Sequence, residues 1–76
     1  MSKTFSGKYV IKVLKKYFGF IQVSQKGSHV KLEKIVGKEK IITIVPNHKE
    51  LQQGTLIGIL DLAKVEKKDF LEVAKR

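Results

Sequence analysis

Two short glycine turns, Lys26-Gly27-Ser28 and Gly37-Lys38, each stand between runs of strand-forming residues. Connections this short join only antiparallel neighbours, because a parallel pair needs a crossover of a dozen residues or more. The flanking runs are therefore three strands of one meander. In the first, Ile21 and Val23 alternate with Gln22 and Ser24. The second alternates Val30 and Leu32 with His29, Lys31 and Glu33. The third, Lys40 to Val45, is β-branched, and Pro46 ends it because proline cannot donate to a central ladder.

Helical patterns flank the meander. Ser6 is a candidate N-cap for a helix with Val10, Ile11, Leu14 and Tyr17 or Phe18 on one stripe, and Lys8, Lys12, Lys15 and Lys16 lie off it. Gly19 supplies a left-handed stop, and Phe20 folds back on the last turn. After the strands, Asn47 and Glu50 stand at capping-box spacing. Thr55 is a second candidate cap, leading into Leu56, Ile59, Leu60 and Ala63, with Ile57 and Leu62 on the other side of that helix. A last helix is expected over about residues 66–76. The fold class is α+β, an α-β-β-β-α two-layer sandwich with an extra C-terminal helix, the helices covering one face of the sheet. Strict alternation puts Ile21, Val23, Val30, Leu32, Ile42 and Ile44 on the covered face. It leaves Gln22, Ser24, His29, Lys31, Glu33, Ile41 and Thr43 on the open one. A one-residue slip in register would reverse that assignment.

A chain of 76 residues is expected to form one domain, burying only roughly 60% of the surface its unfolded form exposes. The absence of cysteine excludes disulfides and thiolate zinc sites. The β-branched run Ile41 to Val45 is far too short for a bilayer, and Met1-Ser2-Lys3-Thr4-Phe5 lacks the apolar segment of a signal peptide, so a cytoplasmic protein without membrane contact is expected. Two histidines and scattered acids show no metal-ligand spacing, so neither metal nor cofactor is expected.

The formal charge of +9 is unevenly spread. Eleven lysines and two acids precede Glu50, whereas five bases and five acids follow from there on. A polyanion-facing surface thus belongs in the first two-thirds, and the neutral remainder suits a protein partner. Fifteen of the sixteen bases are lysine, which grips phosphate without the planar fork that reads bases. Within the basic part, His29 follows a Gly-Ser turn at the mouth of a strand. Imidazole as a class exchanges protons near neutral pH, so a histidine in a polyanion-collecting surface points to acid–base chemistry on RNA. Ser28 is more often a turn former than a nucleophile, and Tyr9, Tyr17, Phe18 and Phe20 suit the core better than base stacking.

The α-β-β-β-α order is that of double-stranded-RNA-binding domains, although their basic signature at the last helix is replaced here by Leu51-Gln52-Gln53-Gly54. Four ordered blocks give a nearer match: Leu14-Lys15-Lys16 with Gly19-Phe20, Gln25-Lys26-Gly27-Ser28-His29, Val45-Pro46-Asn47-His48, and Gly54-Thr55-Leu56-Ile57-Gly58-Ile59-Leu60. In these the chain resembles the HicA toxins of bacterial and archaeal toxin–antitoxin pairs, which cleave messenger RNA and are inhibited by a HicB antitoxin. The resemblance implies a metal-independent endoribonuclease with His29 as catalytic general acid or base, and His48 as a candidate second proton carrier. It also implies that Lys26, Gly27 and Ser28 form the flanking turn, contacting RNA together with Lys31, and that a HicB-like antitoxin is the partner. Two positions depart from the pattern: Val30 replaces a frequent second histidine, and Ile57 replaces a basic residue. The alternatives are a non-catalytic RNA-binding module and a degenerate toxin acting as a protein-interaction domain.

Overall fold

The computed structural model describes residues 4–74. Its elements run α1 (Gly7–Tyr17), β1 (Ile21–Lys26), β2 (His29–Val36), β3 (Glu39–Pro46), α2 (Gln53–Ala63) and α3 (Lys67–Ala74). The sheet has the order β1-β2-β3 with both pairs antiparallel. This is the expected α+β arrangement. Among the described residues, no helix is long and apolar enough to cross a membrane.

The two turns act as the sequence requires. Gly27 and Gly37 take φ of 58° and 60° at the first central position of two-residue turns, the II′ hairpin pattern whose twist matches the strands. The first turn is braced by the Gln25 side-chain amide, which donates to the Gly27 carbonyl at 3.0 Å. In α1, the Ser6 hydroxyl accepts from the Tyr9 N–H at 3.0 Å, as a cap should. Gly19 at φ 77° reverses the chain, and the Phe18 and Phe20 amides both return to the Leu14 carbonyl. Phe20 thereby enters the core.

The core is built from Val10, Val13 and Leu14 of α1, Val30 and Leu32 of β2, Ile41 and Val45 of β3, Leu56, Ile59, Leu60 and Ala63 of α2, and Phe70 of α3, closed by Phe20 and Leu51. Helix–sheet contact concentrates on β3. There Thr43 is fully buried, and its hydroxyl donates to the Ile59 carbonyl at 2.9 Å, so the buried oxygen keeps a partner. Tyr9 stacks on Phe5 at 5.7 Å and donates to the Ala74 carbonyl, tying the first helix to the last.

Three expectations fail in informative ways. On β3 the faces are reversed: Ile41, Thr43 and Val45 are buried, Ile42 is half-buried and Ile44 is exposed. The β2–β3 turn pins Val36 opposite Glu39, and pairing outward from it sets Thr43 opposite Leu32. On β1 the alternation breaks at a bulge between Gln22 and Ser24, which leaves Val23 without a register partner and moves Ile21 opposite Glu33 on the open face. Every residue of β1 is exposed, because the helices lie over β3 rather than over this edge. Neither proposed cap after β3 operates. Residues 47–50 are not helical, and α2 starts from Gln52 with Thr55 already inside it. The final helix is present from Lys67 to Ala74, and the last two residues of its expected span lie outside the described ones.

Candidate active site

The turn that delivers His29 is held from two sides. On one side the β1–β2 ladder sets Lys26 directly opposite His29. On the other, His29 pairs with Pro46, and the Asn47 N–H donates to the Ser28 carbonyl at 2.6 Å. The 46–48 segment is itself fixed by α1, whose first N–H, on Gly7, donates to the His48 carbonyl at 2.8 Å. That approach is possible only because residue 7 is glycine: a Cβ there would lie 1.9 Å from the Pro46 carbonyl oxygen. The start of α1, the end of β3 and the Gly-Ser turn thus form one clamp around the base of His29.

Register then determines what surrounds the imidazole. On the open face, one row across the sheet reads Lys26, His29, Pro46, and the next reads Ser24, Lys31, Ile44. Residues directly opposite each other in such a ladder have Cβ atoms about 4.5–5.5 Å apart. Ser24, Lys26, His29, Lys31 and Ile44 together line a shallow, open depression of about 460 Å³. No carboxylate lines it. The nearest acid along this face of β2 is Glu33, one row further on, where Lys40 approaches it at 3.9 Å. The depression is therefore cationic, with an imidazole on one wall and an aliphatic floor.

Most of the sequence-derived candidates meet here. His29 is exposed on the open face, as alternation along β2 requires, with Lys26 beside it and Lys31 two residues further on the same face. Gly27 forms the turn, and Ser28 is half-buried, holding Asn47 through its carbonyl. His48 is exposed on the segment after β3; its carbonyl fastens α1, and it lies outside the residues lining the depression. Among the described residues, no three of His, Cys, Asp and Glu gather as a metal site. Sequence reasoning missed Ile44, which it placed in the core, and gave Ser24 a face without a role. The signal for Ile44 was present in the length of the β2–β3 turn.

What this arrangement does chemically follows from its parts. Two ammonium groups stand beside an imidazole, so positive charge adjoins a side chain that can donate or accept a hydrogen bond. The Gly-Ser turn lies at the same end of the sheet.

No curated protein sequence matches the chain. The family described as the HicA toxin of bacterial toxin–antitoxin systems matches it over residues 7–65, from the first residue of α1 to just beyond α2, so that the clamp, the histidine turn and the whole sheet lie inside the match. The chain belongs to the HicA toxin family.

Proposed function

We propose that this toxin is a metal-independent endoribonuclease that cleaves messenger RNA in the cytoplasm, with His29 as a general acid or base. The observation that carries the reading is that His29 adjoins both Lys26 and Lys31 in an open, carboxylate-free depression. The reaction is an internal transesterification. The 2′-oxygen attacks the adjacent phosphorus, the P–O5′ bond breaks, and the products are a 2′,3′-cyclic phosphate and a free 5′-hydroxyl. One proton leaves the 2′-hydroxyl and one reaches the departing 5′-oxygen; His29 carries one of them. The other passes through solvent or His48, the candidate second carrier. Lys26 and Lys31 stabilise the charge that grows on the phosphate oxygens, helped by the turn amides. Single-point proton transfer of this kind contributes about 10²–10⁴-fold in rate.

A HicB-like antitoxin is the inhibitor in this reading. A face with no acid around the histidine suits an acidic partner, which electrostatic attraction would steer onto it. Purified with its genomic neighbour, the chain is expected to co-elute with it, and the pair to leave RNA intact.

A second reading, RNA binding without cleavage, is favoured by one observation: His29 is the single histidine among the residues lining the depression. Analysis of product ends separates the two. Incubation of the chain with mixed RNA in excess EDTA is expected to yield fragments with cyclic phosphate and 5′-hydroxyl ends. Intact RNA, bound but uncut, would favour the second reading; 5′-phosphate ends or a requirement for metal would contradict the first.

A further inference from the structure

Ile44 stands out in the depression because the core does not explain it. Its side chain is 37% exposed, it takes no part in the buried cluster, and its cross-strand partner is Lys31. It is not isolated. Along the open face β3 presents Ile42, Ile44 and Pro46 in succession, and β2 presents Glu33, Lys31 and His29 opposite them. An apolar column therefore runs beside the column that carries the imidazole and an ammonium group, one strand spacing away, about 4.7–4.9 Å.

A nucleotide has the same two-part character, an anionic phosphate and a flat, weakly hydrated base. With the phosphate held by Lys26 and Lys31 beside His29, the neighbouring surface available to its base is the Ile44 floor. A base paired within an A-form helix keeps its faces stacked on its neighbours and cannot reach such a floor, whereas an unpaired base can be splayed onto a sheet face. We propose that the open face of the sheet carries a subsite for an unpaired nucleobase, with Ile44 as its floor and Lys31 gripping the attached phosphate. This rests on the RNA-cleaving reading above and adds to it a requirement for single-stranded substrate at the point of cleavage. Ser24, across the ladder from Lys31, offers a hydroxyl at the rim that both donates and accepts. Contact through an aliphatic face is tolerant of base identity, so the subsite senses that a base is present and unpaired more than which base it is.

The test separates base from backbone. The His29→Ala chain, chosen because its cleavage is expected to be slow, is titrated with a labelled single strand of about ten nucleotides and with an all-abasic strand of the same length and charge. The intact strand is expected to bind about tenfold more tightly, a preference that the Ile44→Ala change reduces to about twofold or less. Lys31→Gln is expected to weaken both strands alike, since it removes a phosphate contact. Ile44→Thr keeps the β-branched backbone preference and serves as a second variant, with the same loss of preference expected; thermal unfolding checks that each variant is folded. An undiminished preference for the base-bearing strand in both Ile44 variants would overturn the subsite while leaving RNA binding intact. Failure of the His29→Ala chain to bind either strand would overturn the RNA reading itself, and the subsite with it.

Discussion

β1 and β3 are the two edges of one sheet, and they are built for different purposes. β3 sends Ile41, Thr43 and Val45 into the core and fastens the buried Thr43 hydroxyl to α2. β1 buries nothing: Ile21 and Val23 are 59% and 42% exposed, its ladder is broken by a bulge, and no helix covers it. Stability lies with β3 and the helices, while the candidate site residues Lys26, His29 and Lys31 sit on the open face at the β1–β2 end. The lesson is that a chain too small for a large cavity can still present a site, by leaving one sheet face bare. Burial at the β3 side allows exposure at the other, and the Gly7 clamp joins the two.

The comparison is broken most severely by emptying the helical side. Leu60→Ala removes a buried side chain packed among the β3 and α2 residues, with an expected loss of about 2–5 kcal/mol in urea unfolding. The fraction that stays folded should cleave RNA as the parent does. A loss well under 1 kcal/mol would mean that the core is elsewhere.

Gly7→Ala strikes the joint between the two regions. The added methyl meets the Pro46 carbonyl, so the 46–48 segment must shift; the expected cost is about 1–3 kcal/mol. Because that segment holds the Ser28 carbonyl, the folded variant should also lose cleavage, an effect that Leu60→Ala should not show. Equal cleavage per folded molecule in both variants would remove the clamp from the account.

The smallest effect is expected on β1. Ile21→Thr keeps a β-branched residue at an exposed position and should change stability by no more than about 0.5 kcal/mol. A larger loss would show that β1 contributes to the core after all.

Much of this was legible in the sequence, for identifiable reasons. The meander followed from two turns too short for any other connection, α1 from its stripe and its Ser6 cap, and the open-face placement of His29 and Lys31 from alternation with Val30 and Leu32. β3 was misread because Lys40 to Val45 is almost uniformly β-branched and its pattern carries no phase. Pairing outward from Gly37-Lys38 carries that phase, and sets Thr43 against Leu32. The β1 bulge had no such signal: a glutamine and a serine flank it, and the extra residue is a valine. The candidate site was therefore drawn around its histidine without Ile44, which looks like any other core residue until the register is known.

The account's central claim is that His29 performs chemistry on a surface that does not stabilise the fold. Unfolding and RNA cleavage in EDTA, measured side by side on the parent chain and on His29→Ala, test it most directly. The account predicts unfolding curves that coincide within about 0.5 kcal/mol and cleavage lower by about 10²–10⁴-fold. Cleavage by His29→Ala at the parent's rate, with the variant equally folded, would contradict it.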